Sequence, residues 1–126
     1  MIEFSVDLPN RPGQLAQLAR ELAAANINIR TLSAVTLGDE GIVRLVVDDD
    51  EHARKVLASI GVSYEERRVV SATLRDKPGA LADLADALAA NGTNIEGLYL
   101  LTSDDDELRF AIAVDDPEFV GNGTNV

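Results

Sequence analysis

Two short stretches of this sequence combine residue types that can hold a carboxylate. They read Asn10-Arg11-Pro12-Gly13 and, 66 positions later, Asp76-Lys77-Pro78-Gly79. In each, the Asn or Asp side chain can accept hydrogen bonds from the first free N–H groups of a helix. Pro fixes φ in a first helical turn, and Gly, which has no Cβ, lets a ligand or another backbone approach. A helix start with exposed donors favours a bound anion, although one copy alone is better interpreted as an ordinary cap and turn.

Two asparagines recur with the same offset. Asn28-Ile29 and Asn94-Ile95 follow the predicted helices and begin the next predicted strands. An amide both donates and accepts, so either side chain can bind the ammonium or the carboxylate of a ligand. The alternative is a turn residue that tolerates left-handed geometry, which is the simpler interpretation for either Asn taken alone.

The residues between these positions also repeat. Leucines 15, 18 and 22 correspond to leucines 81, 84 and 88, and their three- and four-residue spacing predicts one apolar stripe on a helix. The same residues at the same offset indicate two copies of one structural unit, so any binding site is expected twice.

The first copy has the element order βαββαβ. Strands are predicted over 2–8, 27–33, 42–47 and 62–68 from alternating or β-branched runs, and helices over about 12–26 and from Asp48-Asp49-Asp50 to a stop at Gly61. This order is typical of the ferredoxin-like arrangement, which packs helices on one face of an antiparallel sheet.

The second copy repeats the first four of these elements. Strands are predicted over 69–74, 95–102 and 108–114 and a helix over 78–91, after which Gly121-Asn122-Gly123 breaks the next helix. We therefore expect an α+β protein of two ferredoxin-like βαββαβ units in tandem, 1–68 and 69–126. The second is expected to be truncated after its fourth element. An unpaired sheet edge is a liability, and the first copy, a partner chain or the tail could cover it.

Charge and composition exclude several classes of protein. The chain has 22 acidic and 11 basic residues, a net charge of −11 and no cysteine. A negative surface repels nucleic acid, no apolar run approaches the roughly 20 residues of a membrane span, and no secretory leader is evident. We expect a cytoplasmic protein that binds neither nucleic acid nor membrane. The acidity leaves open an adaptation to salt or ordinary solubility.

No catalytic or metal-binding set is evident. His52 has no Ser or Cys partner in sight, and the acidic runs 48–50 and 104–107 lack the spaced ligands and Gly turn of a calcium loop. Arg11 or Lys77 could hold the phosphate of an acyl phosphate, but no general acid or base accompanies them. We therefore expect no enzyme activity, no cofactor and no metal.

Taken together, these features resemble the ACT domain, a small βαββαβ regulatory module. The resemblance rests on the strand-(Asn/Asp)-x-Pro-Gly-x-Leu-helix pattern followed about 15 residues later by Asn-Ile, found twice in register. It covers nearly all of residues 1–68 and the first four elements of 69–115. What it implies is allosteric sensing of amino acids without an attached enzyme.

The resemblance also implies where ligands bind. ACT modules pair, and the loop after strand 1 and the start of helix 1 of one module meet strand 2 of its neighbour. The corresponding positions here are Asn10, Gly13, Gln14, Leu15, Asn28 and Ile29, and Asp76, Gly79, Ala80, Leu81, Asn94 and Ile95. The backbone N–H groups of 13–14 and 79–80 would hold a carboxylate, and Asp76 or the Asn amides an ammonium. Because the copies differ at 10/76 and 14/80, we do not expect both to bind one ligand equally well.

The implied function is a regulatory protein that binds a free amino acid or a related small metabolite. The implied partners are a second copy of the chain, as a homodimer, and a metabolic enzyme or regulator. The alternative is a ligand-free structural or dimerisation module that scaffolds a partner protein.

Overall fold

The computed structural model describes residues 1–115. In chain order its elements are β1 (Ile2–Pro9), α1 (Gln14–Ala24), β2 (Ile29–Leu37), β3 (Glu40–Val47), α2 (Asp50–Ile60), β4 (Ser63–Arg75), α3 (Ala80–Ala90), β5 (Ile95–Asp104) and β6 (Glu107–Val114). Contacts among the described residues group 2–67 as a first unit and 68–115, with Met1, as a second unit. The predicted truncation of the second copy falls on residues 116–126 and lies outside the described residues.

The first unit has the ferredoxin-like strand order β2-β3-β1-β4, with β4 contributing its residues up to Arg67. β3 pairs antiparallel with both β1 and β2, and Val43 lies opposite Val6 on one side and Ala34 on the other. Alternate strand residues and the apolar stripes of α1 and α2 form the core, which is Phe4, Val6, Leu8, Leu18, Leu22, Ile27, Val43, Leu45, Val47, Ala53 and Leu57.

The second unit repeats this order as β4-β6-β5, with β4 in the place of β1. β6 pairs antiparallel with β4 and β5, and Ile112 lies opposite Val70 and Leu98. Its core packs α3 on the sheet and consists of Ala72, Leu74, Ala80, Leu84, Leu88, Ile112 and Val114. The tandem ferredoxin-like arrangement predicted from the repeat is therefore present in both units.

β4 is one strand where the sequence analysis predicted two. It runs without interruption over the 13 residues Ser63–Arg75, across the expected boundary between strands 62–68 and 69–74. The segment contains no Gly, Pro, Asn or Asp, and these are the residues that usually break a strand into two. The division between the units after Arg67 therefore lies within a strand and not in a loop.

The first helices of the two units end in the same way. The Ile27 N–H donates to the Leu22 carbonyl at 3.0 Å, and the Thr93 N–H donates to the Leu88 carbonyl at 2.9 Å. These are the long hydrogen bonds of a Schellman motif, whose left-handed residue is Asn26 in one unit and Gly92 in the other. Asn28 and Asn94 do not have positive φ, so left-handed geometry does not explain them.

All the helices of residues 1–115 have 11 residues. None of them is long and apolar enough to cross a membrane.

Candidate functional site

Each unit begins its first helix with the same backbone turn. The Gln14 N–H donates to the Arg11 carbonyl at 3.4 Å, and the Ala80 N–H donates to the Lys77 carbonyl at 3.3 Å. The third residue of each turn is glycine, with φ 89° and ψ −10° at Gly13 and φ 89° and ψ −14° at Gly79. Pro followed by a residue with positive φ is typical of a type II turn. We call Arg11–Gln14 and Lys77–Ala80 the helix-start turns.

These turns leave space above the glycines. A Cβ built on Gly13 or Gly79 would have no neighbouring heavy atom within 4 Å. Space is therefore not what requires glycine at these positions. The requirement comes from the backbone conformation, because a residue with a Cβ rarely adopts this φ. The open space also allows a ligand to approach the turn.

The prediction that Asn10 and Asp76 cap the helices is wrong. The residue at the cap position is Gly13 in α1 and Gly79 in α3, and no side-chain hydrogen bond caps either helix within the described residues. The turn places the Asn and Asp three residues before the cap position. Pro12 and Pro78 likewise lie in the turn, ahead of the first helical residue, and not in the first turn of the helix.

The helix starts therefore keep free donors. The first helical hydrogen bonds to the cap residues are Gln17 to the Gly13 carbonyl, at 3.0 Å, and Asp83 to the Gly79 carbonyl, at 2.9 Å. Among the N–H groups ahead of these bonds, those of Gln14 and Ala80, which were predicted to hold a carboxylate, already donate within the helix-start turns. The N–H groups of residues 15–16 and 81–82 have no acceptor within the helix. Backbone donors and the positive end of the helix dipole together favour an anion.

The Asn10 side chain binds the neighbouring hairpin. The Asn10 backbone N–H donates to the Asp39 carbonyl at 2.8 Å, and the side-chain Nδ2 donates to the Gly38 carbonyl at 2.9 Å. In the second unit the Asp76 N–H donates to the Asp106 carbonyl at 2.7 Å. The Asp76 carboxylate cannot donate a hydrogen bond to the hairpin as the Asn10 amide does. The Asp76 side chain has no protein partner within residues 1–115.

The asparagines at the start of β2 and β5 also have equivalent surroundings. The Asn28 N–H donates to Asp48 Oδ1 and the Asn94 N–H to Asp115 Oδ1, both at 3.0 Å. The two aspartates donate their own N–H groups back to the Asn carbonyls, at 3.1 and 3.2 Å. Both asparagines are exposed, and no partner of their side-chain amides is found in the described part of the chain.

The structure does not gather all the predicted site residues of one unit at one place. Gln14 begins α1 and Asn28 follows its end, so the helix, about 16 Å long for 11 residues, separates them. The predicted apolar positions also differ in exposure. Leu15 and Leu81 are 41% and 46% exposed, whereas Ile29 and Ile95 are partly buried and pack against the cores.

A cavity lies beside each helix start, and the two cavities differ in size and charge. The first has a volume of about 110 Å³ and is lined by Leu8, Gln14, Gln17, Leu18, Ile60 and Val62. The second has a volume of about 220 Å³ and is lined by Arg75, Lys77, Ala80 and Asp83. The first cavity is therefore lined by amide and apolar groups, whereas the lining of the second contains two cations and a carboxylate.

Of these lining residues the sequence analysis placed only Gln14 and Ala80 among the ligand-binding positions, and it missed the polar residues Gln17, Arg75 and Asp83. Gln17 and Asp83 follow Gly13 and Gly79 by four residues, one helical turn, and this spacing could have identified them. Arg75 precedes the turn and its Nη1 lies 3.2 Å from Asp106 Oδ2 in an exposed ion pair. The predicted positions therefore locate the backbone of the site. The missed residues Arg75 and Asp83 contribute charged side chains to it.

His52 lies in the first turn of α2, beside Asp49. Asp49 caps α2 by accepting from the His52 N–H at 3.1 Å, and its Oδ2 lies 2.7 Å from His52 Nδ1. The backbone hydrogen bond from His52 lowers the pKa of the Asp49 carboxyl. Within residues 1–115, no group of three or more His, Asp or Glu side chains could hold a metal ion.

Several solved structures share this fold. Protein BT0572 from Bacteroides thetaiotaomicron superposes with a TM-score of 0.85 at 29% identity, covering 94% of this chain and 81% of that one. The ligand-free regulatory subunit of aspartate kinase from Thermus thermophilus gives a TM-score of 0.72 at 18% identity, with 94% and 85% covered. The structure of aspartokinase alpha and beta subunits gives 0.68 at 22%, with 95% and 86% covered. No curated protein matches the sequence.

A family model matches both copies of the repeat. The model of the ACT domain matches residues 2–61 and again residues 68–119. The repeated helix-start turns, the ferredoxin-like strand order in both units and the similar solved structures agree with this match. This chain belongs to the ACT domain family.

Proposed function

We propose that this protein is a regulatory protein that binds a free amino acid, or a related small metabolite, at its helix starts and passes the occupancy to a partner. The observation that carries the proposal is the helix-start turn itself. In both units a glycine with φ 89° leaves helix donors uncapped and open space above them. Such a turn offers backbone N–H groups to a carboxylate, the group that all free amino acids share.

The remaining ligand contacts would come from a second chain. Within one unit α1 separates the helix start from Asn28, so one small ligand cannot contact both. The free Asn28 and Asn94 amides can hold the ammonium or carboxylate of a ligand seated on another helix start. Ligand bound across two modules would favour the packing that brings these groups together, which is the differential affinity that allostery requires.

A homodimer would supply the second module. β2 lies at the end of the strand order of the first unit, and its Val35 and Leu37 are 55% and 71% exposed. Large apolar side chains on an edge strand favour a contact with another chain. Sedimentation equilibrium of the protein and of Leu37→Asp tests this step, because the substitution should convert a dimer to a monomer. A monomeric native protein would contradict it.

The two helix starts should prefer different ligands. The first cavity suits a small neutral side chain because amides and apolar groups line it. The second suits a ligand with an additional acidic group, because two cations, Arg75 and Lys77, line it against the one carboxylate of Asp83. A metabolic enzyme or regulator that reads this occupancy is the proposed partner, and the protein itself would have no catalytic role.

A second candidate function is a ligand-free scaffold. The exposed leucines at equivalent positions, Leu15 and Leu81, favour it because a dimerisation module also needs apolar contact surface. The two functions differ in one measurable respect. A sensor is stabilised by a specific ligand, whereas a scaffold is stabilised by none.

A thermal-shift screen against the twenty amino acids tests the proposal. A ligand at about 100 times its dissociation constant stabilises the folded state by about 2.7 kcal/mol, which gives a clear rise in Tm. The rise should be lost in Gly13→Val or Gly79→Val, according to which site binds.

Each variant has a matched control in the other unit. The control for Gly13 is Gly92, and the control for Gly79 is Gly61. Both control glycines have positive φ and no atom within 4 Å of an added Cβ. Gly92→Val and Gly61→Val should lower Tm by a similar amount and keep the ligand response. A folded protein that no amino acid stabilises would favour the scaffold.

A further inference from the structure

A second polar cavity of the second unit lies near the tip of its β5–β6 hairpin. It has a volume of about 220 Å³ and is lined by Thr73, Thr102, Asp104, Glu107, Leu108 and Arg109. None of these residues belongs to the helix start. Thr73 alternates with Ala72 and Leu74, which pack in the core beneath α3, so its side chain lies on the opposite face of the sheet.

The lining residues form two rows across three strands. In the first row Arg109 lies opposite Thr73 on one side and Thr102 on the other. In the second row Glu107 lies opposite Asp104. Residues two apart on a strand are separated by about 7 Å. The two rows therefore place the Arg109 guanidinium and the Asp104 and Glu107 carboxylates on one patch of the sheet, with about 7 Å between the rows.

The Arg109, Glu107 and Asp104 side chains are exposed and do not pair with one another in the described residues. No salt bridge or hydrogen bond of Arg109, Glu107 or Asp104 side chains is found within residues 1–115. By contrast Arg75, which lies beside Glu107 in the same row, pairs with Asp106. A cation and two anions that line one cavity without contacting each other can each accept a partner group from a ligand.

We infer that this cavity is a binding site for a small zwitterion, a molecule that carries an ammonium and a carboxylate a few ångströms apart. The Arg109 guanidinium would bind the ligand carboxylate with two parallel N–H donors. The carboxylates of Asp104 and Glu107 would accept from its ammonium, and the hydroxyls of Thr73 and Thr102 would bind the remaining polar atoms.

The first unit lacks this site. Its residues in register with Thr73 and Arg109 are Asp7 and Ile42, and Val35 completes the row. An isoleucine cannot hold a carboxylate, so the site belongs to the second unit and is separate from the pair of helix starts. Its failure would leave the proposed function intact.

Amide chemical shifts of the full chain titrated with glycine test the inference. The amides of Thr73, Thr102 and Arg109 should shift saturably with glycine. Acetate and methylammonium, which carry one charge each, should bind at least about tenfold more weakly, because charge-assisted hydrogen bonds at both ends contribute. Arg109→Gln should weaken glycine binding by about tenfold or more at these amides, and Arg109→Lys should restore part of it.

Arg20→Gln is the matched control, because Arg20 is an exposed arginine on α1 and its loss changes the net charge equally. It should leave the titration unchanged. Three results would each overturn the inference: no saturable shift of these amides with glycine, equal affinity in Arg109→Gln, or acetate binding as tightly as glycine.

Discussion

The two helix starts share a backbone and differ in the side chains that surround it. Gly13 and Gly79 have the same φ of 89°, and the loop before each turn donates an N–H to the tip of the adjacent hairpin. Yet the Asn10 amide binds that hairpin, whereas the Asp76 carboxylate has no partner within residues 1–115. The two units thus share the backbone geometry of the helix start, whereas the side chains around it differ.

The largest effect is expected where the shared backbone is disrupted. Gly13→Ala and Gly79→Ala each force a residue with a Cβ into the left-handed region, which costs about 1–2 kcal/mol. Because no atom lies within 4 Å of either Cβ position, strain in the backbone is the whole cost, and the two values should agree. Urea unfolding measures both. A large difference between them would show that the turns are not equivalent.

The paired aspartates after β3 and β6 provide the next comparison. Asp48→Ala and Asp115→Ala each remove the acceptor of an Asn N–H, and an intramolecular hydrogen bond contributes about 0.5–1.5 kcal/mol. We expect similar losses in unfolding free energy from urea titrations. Asp86→Ala is the control, because Asp86 is exposed on α3 and has no side-chain partner in the described residues. A loss in this control as large as in the other two would contradict the account.

The side chains at positions 10 and 76 test the divergence itself. Asn10→Asp removes the donor that binds the Gly38 carbonyl, so the β2–β3 hairpin should exchange its amide hydrogens faster, by about tenfold for a loss near 1.4 kcal/mol. Asp76→Asn is the reverse change and should slow exchange in the β5–β6 hairpin. If neither hairpin responds, the Asn10 amide does not stabilise it.

The smallest effect separates α2 from the other two helices. Asp49 caps α2, whereas α1 and α3 have no side-chain cap within the described residues. The hydrogen bond from the His52 N–H holds the pKa of Asp49 below its usual range. Its stabilisation is therefore present above the unfolded-state pKa of about 3.9 and is lost as pH falls through the lower folded-state pKa.

Hydrogen exchange measured down that pH range should show the first turn of α2 opening before α1 and α3. Asp49→Asn should remove the pH dependence, because the amide still accepts but does not titrate. Opening of all three helices together would contradict the prediction.

Much of the fold could be predicted because the same pattern of residues occurs twice in the sequence. The stripe of leucines and the alternation in the strands gave the elements and their order, and the core residues Leu18 and Leu84 are both 2% exposed. The continuity of β4 was missed because the repeat places a unit boundary after residue 68, so 62–68 and 69–74 were predicted as two strands although no turn residue divides them. Pairing of strands across the chain, and not local pattern, decides such a boundary.

The candidate site was predictable in its backbone and less so in its side chains. The Pro-Gly pairs located the two turns, yet Asn10 was assigned a capping role that the turn geometry does not allow. Its actual acceptor, the Gly38 carbonyl, lies 28 residues along the chain. Local spacing cannot identify a partner at that separation, and the same holds for the lining by Ile60 and Val62.

The central claim is that two equivalent turns serve ligands of different charge. Titration of the ¹⁵N-labelled protein with aspartate and with alanine, followed at the Gln14 and Ala80 amides, tests it most directly. We predict that aspartate shifts the Ala80 amide at a concentration about tenfold or more below that needed at Gln14, and that alanine reverses this order. Equal dissociation constants at both amides for both amino acids, or no shift at either, would contradict the claim.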